Sequence, residues 1–182
     1  MASVVVIYHS GYGHTAKQAE AVAAGAKADL ITIDASGDIT DADWAKLDAA
    51  KAIIFGSPTY MGGASWQFKK FADASSAKWF TQVWKNKIFA GFTNSATMNG
   101  DKFSTIQYFV TLAMQHSGVW VGTGLMPANT KAAKHGDVNY VGGFGGALMT
   151  SPSDASPDEV NKGDLETARL LGARVAEFAA KA

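Results

Sequence analysis

Short apolar runs rich in β-branched residues alternate along the chain with longer stretches of helical spacing. Val4–Tyr8 is a continuous run, the pattern of a strand buried on both faces of a parallel sheet. Ala16, Ala19, Val22, Ala23 and Ala26 follow on one side of a helix, small enough to let it lie close to that sheet. Leu30–Ile33 reads as a second strand. Thr40, with Asp43 beyond it, reads as a capping box for a short helix carrying Trp44 and Leu47. Ala52–Phe55 is a third buried strand, with a helix through Trp66, Phe68, Phe71 and Ala72 after its polar ending. Lys87–Thr93 is a fourth, followed by Phe103, Ile106, Val110, Ala113 and Met114 at helical spacing, and Val119–Val121 begins a fifth.

From Gly122 to about Pro157 the chain is rich in glycine and proline and has little periodicity. So long a segment inside a domain is expected to form a functional wall or an interface. Within it, Gly146–Thr150 is expected to return to the sheet edge and extend the fifth strand. The run Gly142–Gly146 (GGFGG) is either a flexible loop or a close-approach wall with Phe144 over a ligand. The last helix has two equally good starts, Ser156 and Asp164, and a buried face of Leu165, Ala168, Gly172, Val175, Ala176 and Ala179. Strands alternating with helices imply a three-layer α/β sandwich, one domain over residues 1–182.

Composition narrows the function. With 47% apolar and 18% charged residues in 182 the chain is globular, and sixteen basic against sixteen acidic residues leave no bulk field for nucleic acid or an anionic membrane. The absence of cysteine excludes disulfides, thiolate metal sites and cysteine catalysis. The start MASVVVIYHS lacks a basic region and its apolar run is short for a signal peptide. No stretch approaches the ~18 apolar residues of a membrane span, so a cytoplasmic location is expected.

The candidate chemistry lies where strands end. The first, third and fourth end in HSGYGHT, GSPTYMGG and TNSATMNGD, whereas the second ends in the bland DASGD. Ligands of open α/β sheets sit beyond the carboxyl ends of the strands, so three convergent polar loops point to one site. The first loop, between a buried strand and a helix start, suits an anion held by amides, by the hydroxyls of Ser10 and Thr15 and by the helix dipole. It lacks the GK[ST] ending of a Walker loop and the third glycine of the dinucleotide fingerprint. Four scattered histidines show no metal-ligand spacing, and no GxSxG elbow is present. His14 reads as a helix-start residue whose backbone faces the anion, not as a proton-transfer group.

With SGYGHT, SPTY and TNSATMNG in these positions, the chain resembles the flavodoxin superfamily, and more closely the FMN-binding NAD(P)H:quinone oxidoreductases of the WrbA type. KWFTQVWKNK, Thr111–Gly118 and GARVAEFA extend the likeness over nearly the whole chain. The resemblance implies a flavodoxin-like five-stranded parallel sheet of order 2-1-3-4-5 with an insertion in or after strand 5, and FMN as cofactor. Ser10, Tyr12, Gly13, His14 and Thr15 would surround the FMN phosphate, and Pro58, Thr59, Tyr60 and Met61 would flank the isoalloxazine. Asn94, Ser95, Ala96, Thr97 and Asn99 would wrap the ribityl chain and ring edge, with His116 near the pyrimidine end. Tyr12 would also meet substrate, as would Trp79, which matches a tryptophan that family tetramers bring toward a neighbour's flavin.

The implied activity is two-electron, ping-pong transfer of a hydride from NADH or NADPH to a quinone, with no side chain required as an acid or base. Trp79, Phe80 and Trp84 form either a core patch or, as favoured here, the interface of a homo-oligomer, a dimer or tetramer. The alternative is a flavodoxin-type electron carrier. Such carriers are markedly acidic, and the neutral charge of this chain argues against that class.

Overall fold

The computed structural model describes residues 3–182. In chain order the elements are β1 (Val4–Tyr8), α1 (His14–Ala26), β2 (Asp29–Thr32), α2 (Asp41–Ala49), β3 (Ala52–Tyr60), β4 (Gly63–Ala64), α3 (Trp66–Ala74) and α4 (Ser76–Phe80). β5 (Ile88–Ser95), α5 (Lys102–Gln115), β6 (Val119–Trp120), β7 (Ala147–Thr150), a 3-10 turn (Pro157–Glu159) and α6 (Lys162–Lys181) complete them.

The sheet runs β2-β1-β3-β5, and the next position beside β5 is shared by β6 and β7. β6 pairs with Ile88 and Phe89, and β7 with Phe92 to Ser95, all parallel. Gly146–Thr150 therefore does return to extend the fifth strand. The insertion is the stretch between its two halves. The parallel order is the flavodoxin-like 2-1-3-4-5, and β4 adds a small antiparallel hairpin to β3.

Because successive side chains alternate across a strand, β1 feeds two cores. Val4, Val6 and Tyr8 face α1 and α6, while Val5 and Ile7 face α2, α3 and α5 with Phe55, Phe68, Phe71, Trp84, Phe89 and Phe109. Full burial of each such ring contributes about 1.5–3 kcal/mol. The first core is thin, because α1 and α6 meet through glycines. A Cβ on Gly25 would lie 1.9 Å from the Arg169 carbonyl, and one on Gly172 would lie 2.0 Å from that of Val22.

Several elements depart from the reading of the sequence. SPTY is not a loop, since β3 runs through it to Tyr60. The turn comes at Met61 and Gly62, whose φ of 48° and 80° suit a tight hairpin. The capping box at Ser156 forms but closes only the 3-10 turn, and α6 starts at Lys162 behind an Asn161 cap. Asp164 is not a cap either, because its buried carboxylate turns toward β7 and accepts from the Thr150 amide at 2.9 Å. The buried face of α5 is Ile106, Phe109, Leu112 and Ala113 with polar Lys102 and Thr105, whereas Phe103 and Met114 are exposed.

The glycine run is a close-approach wall. A Cβ on Gly146 would meet the Gly91 carbonyl at 2.4 Å, and one on Gly122 the Phe144 carbonyl at 2.3 Å. Phe144 itself points into solvent and covers no cleft. Within the aromatic stretch, Trp84 is core and donates its indole N–H to Asp48 Oδ1 at 2.8 Å, while Trp79 and Phe80 are exposed. Among the described residues no helix is long and apolar enough to cross a membrane.

Gly172→Ala is expected to lower the unfolding free energy by about 1–3 kcal/mol, since the methyl must push α1 away from α6. Urea denaturation with an unchanged m-value measures it.

Candidate functional site

Strand order reverses between β1 and β3, and a cleft of about 380 Å³ opens at the carboxyl ends there. Its lining comes from four chain segments. Tyr12, His14 and Thr15 follow β1; Pro58, Thr59 and Tyr60 end β3; Asn94, Ser95 and Ala96 end β5; and Ser151 and Ser153 follow β7.

The floor is a chain of hydrogen bonds between strand ends. Thr15 Oγ1 donates to Asn94 Oδ1 at 2.5 Å, and Asn94 Nδ2 donates to Ser151 Oγ at 2.9 Å, all three groups being buried. Thr59 Oγ1 lies 2.8 Å from both Thr93 Oγ1 and Thr105 Oγ1 and so locks β3, β5 and α5 together.

The first loop presents unused donors. Ser10 Oγ accepts from the amides of Gly13 at 3.1 Å and Ala16 at 3.2 Å, capping α1 from outside while Gly13 turns with φ 91°. Among the described residues the amides of Gly11, Tyr12, His14 and Thr15 find no acceptor. The first turn of α1 carries no acidic side chain, so the positive end of its dipole is uncompensated. His14 is held aside, its Nε2 at 2.8 Å from the Ala155 carbonyl. A Cβ on Gly11 would come within 2.6 Å of the Tyr60 hydroxyl, so a side chain there would have to displace the Tyr60 ring tip.

At the rim, the Tyr12 and Tyr60 rings meet edge to face, centroids 6.2 Å apart. Burial first, and the neighbouring Tyr12 second, push the Tyr60 phenol above its usual range, so it stays a neutral donor. Among the described residues no cluster of histidine and carboxylate groups could hold a metal ion. Amide donors at a helix start, a polar floor, aromatic walls and no lining cation suit a phosphate ester with a planar ring system. FMN fits this cleft on those grounds.

The remaining candidates from the sequence lie elsewhere. Ser10 and Gly13 shape the loop from behind, Met61 projects fully into solvent, and Thr97 and Asn99 are exposed on the loop beyond Ala96. His116 and Trp79 are not in the cleft. α5 begins at the cleft and runs 14 residues away from it, which puts His116 at the opposite end of the sheet. There His116 is buried against Trp84, ring centroids 4.5 Å apart, with Nε2 2.9 Å from Ser75 Oγ, and it lines a second hollow of about 220 Å³ with Trp79. Within one chain, His116 cannot touch the cleft ligand. Ser151 and Ser153 had not been singled out, although the TSPS sequence after β7 is itself a hydroxyl-rich strand end.

Residues 10–132 match the family described as NADPH-dependent FMN reductase. A Pseudomonas aeruginosa protein described as flavodoxin FldP is 54% identical over 98% of this chain and 97% of its own. A Rhizobium rhizogenes NAD(P)H dehydrogenase (quinone) is 32% identical over 100% of this chain and 98% of its own. The crystal structure of a flavodoxin, WrbA-like protein from Agrobacterium tumefaciens superposes with a TM-score of 0.84 at 52% identity, covering 100% of this chain and 99% of that one. The cofactor is FMN.

Asn94→Ala would strand the Thr15 and Ser151 hydroxyls and is expected to cost about 1–3 kcal/mol in urea unfolding of the apo protein, with weaker FMN binding. Burial pushes His116 from 6.5 down to about 4, so the folded state favours its neutral form. That stability is complete above pH 6.5 and lost as pH falls from there through about 4. His116→Gln should flatten the acid limb of a stability–pH curve.

Proposed function

The chain belongs to the NADPH-dependent FMN reductase family, as a WrbA-type member of the flavodoxin superfamily, and we propose that it is an NAD(P)H:quinone oxidoreductase. The observation that supports this reading is the cleft itself, which combines free amide donors at a helix start with an open aromatic rim. FMN, when bound, would supply the two-electron redox chemistry between a nicotinamide and a quinone. The protein binds and orients.

In this reading the free amides of Tyr12, His14 and Thr15 hold the phosphate, and the dipole of α1 favours its charge. Asn94 and Ser151 meet the ribityl hydroxyls, and Pro58, Thr59, Tyr60 and Ser95 flank the ring system. Tyr12 and Tyr60 offer apolar faces with polar tips to a flat second substrate. One slot admits one ring at a time, so the nicotinamide leaves before the quinone enters. No lining residue has to move a proton. Exposed Trp79 and Phe80 would cover a neighbouring copy, and the second substrate slot would be completed in that homo-oligomer.

A carrier role is the second reading, since the relative at 54% identity is described as a flavodoxin. The balance of sixteen basic and sixteen acidic residues gives no field to steer a redox partner, which favours the enzyme.

The purified FMN-loaded protein is expected to oxidise NADH or NADPH continuously with benzoquinone as acceptor. If neither nucleotide bleaches the flavin within seconds, the carrier reading replaces this one. Tyr60→Ala should raise KM for the quinone by about tenfold with FMN still bound, because it removes a stacking face from the rim.

A further inference from the structure

Lys102 is out of place by ordinary rules. It opens α5, where the positive end of the helix dipole repels a cation, and its side chain is 1% exposed. Among the described residues no carboxylate lies within ion-pair distance of it. A buried ammonium that violates local preference is retained for some geometric work. Here the work is visible, for Nζ donates to the Thr97 carbonyl at 2.6 Å and the Met98 carbonyl at 2.9 Å.

A trans peptide fixes C=O and N–H on opposite sides of one plane. Turning the carbonyls of Thr97 and Met98 toward Lys102 therefore turns the amides of Met98 and Asn99 the other way. Neither amide has an acceptor among the described residues. The loop is tightly folded: Gly100 and Asp101 both have positive φ (50° and 52°), and a Cβ on Gly100 would lie 1.9 Å from Ser95 Oγ. It continues directly from Ser95 and Ala96, which line the cleft.

We propose that Lys102 is a positioning residue of the flavin site, whose ammonium aims the amides of Met98 and Asn99 outward as paired donors for the electron-rich edge of the flavin ring. This rests on FMN occupying the cleft and adds a residue that the lining does not include. Asp164 faces the ammonium from α6, His135 of the insertion holds that carboxylate at 3.0 Å, and Asp101 precedes Lys102 in the chain. Burial lowers the Lys102 pKa to about 8, with Asp164 pulling the other way. Above that pH the charge-assisted bonds to the two carbonyls weaken to neutral ones.

The test is FMN fluorescence quenching with the apo form of the whole chain at pH 7, 8 and 9, above the phosphate titration near pH 6. Wild-type affinity should fall about fivefold between pH 7 and 9, the difference between charged and neutral hydrogen bonds. Lys102→Met should bind about tenfold more weakly at pH 7, with no pH dependence, while its apo melting temperature stays at or above wild type. Lys102→Arg, which does not titrate, should hold its affinity to pH 9. A flat wild-type profile with tight binding overturns the proposal without the substitutions, even if these fail to fold. So does Lys102→Met that binds like wild type, or that loses apo stability in step with affinity. Wild type that binds no FMN at any pH overturns the cofactor assignment and this proposal together.

Discussion

The hydrogen-bond chain Thr15–Asn94–Ser151 is the constraint on which the site depends. It joins the start of α1, the end of β5 and the end of β7, three segments far apart in sequence that meet at one strand boundary. A buried amide side chain has both an acceptor and donors to satisfy, so one residue fixes two neighbours at once. Each partner is held from below. α1 lies against α6 through glycines, β5 is clamped by Thr59, and β7 is tied to α6 by the Asp164 bond to Thr150. The floor is rigid because three independent layers press on it.

The same arrangement leaves amide donors free beside a cleft whose lining carries no lysine or arginine. Ser10 satisfies two amides of the first loop, and the remaining ones have no acceptor among the described residues. A fixed set of amides and a helix dipole select for size and shape more than charge does, since a lysine would attract any phosphate. A Cβ on Gly11 would lie 2.6 Å from the Tyr60 hydroxyl, so the first loop and the aromatic rim are in close approach.

The parallel sheet and three of its four cleft segments are legible because they rest on periodicity and strand-end composition, whereas the strand order follows only from the family resemblance. β1, β3 and β5 are long apolar runs ending in glycine and hydroxyls, and nothing tertiary had to intervene. Ser151 and Ser153 escape that reading because, although the strand Gly146–Thr150 is itself expected, its hydroxyl-rich ending is not counted with those of the first, third and fourth strands. His116 was placed near the flavin by likeness alone. The length and direction of α5, physical facts available only once the helix is built, carry it to the other end. Neither expected start of α6 holds, for two reasons: Ser156 is a real cap but Val160 is extended, so only a single turn follows before Asn161 caps again, and the Asp164 carboxylate is taken by the Thr150 amide inside the helix that Asn161 has begun.

Lys102 shows why polar burial is the hardest feature to read from a sequence. Apolar spacing alone would assign Phe103 to the interior of α5, yet Phe103 is exposed and Lys102 and Thr105 are inside. The rotation is set by Thr105, whose hydroxyl must reach Thr59, and by the carbonyls of Thr97 and Met98, which need a donor. Once those two contacts fix the helix, Lys102 has nowhere else to go, and the cost of burying its charge is offset by the order it imposes on the loop. The rim aromatics carry no such constraint. Tyr12, Tyr60 and Met61 face solvent and make few specific bonds, so they can change without disturbing the floor. The cleft is thus built of two different physical layers, a packed polar floor and an exposed aromatic rim.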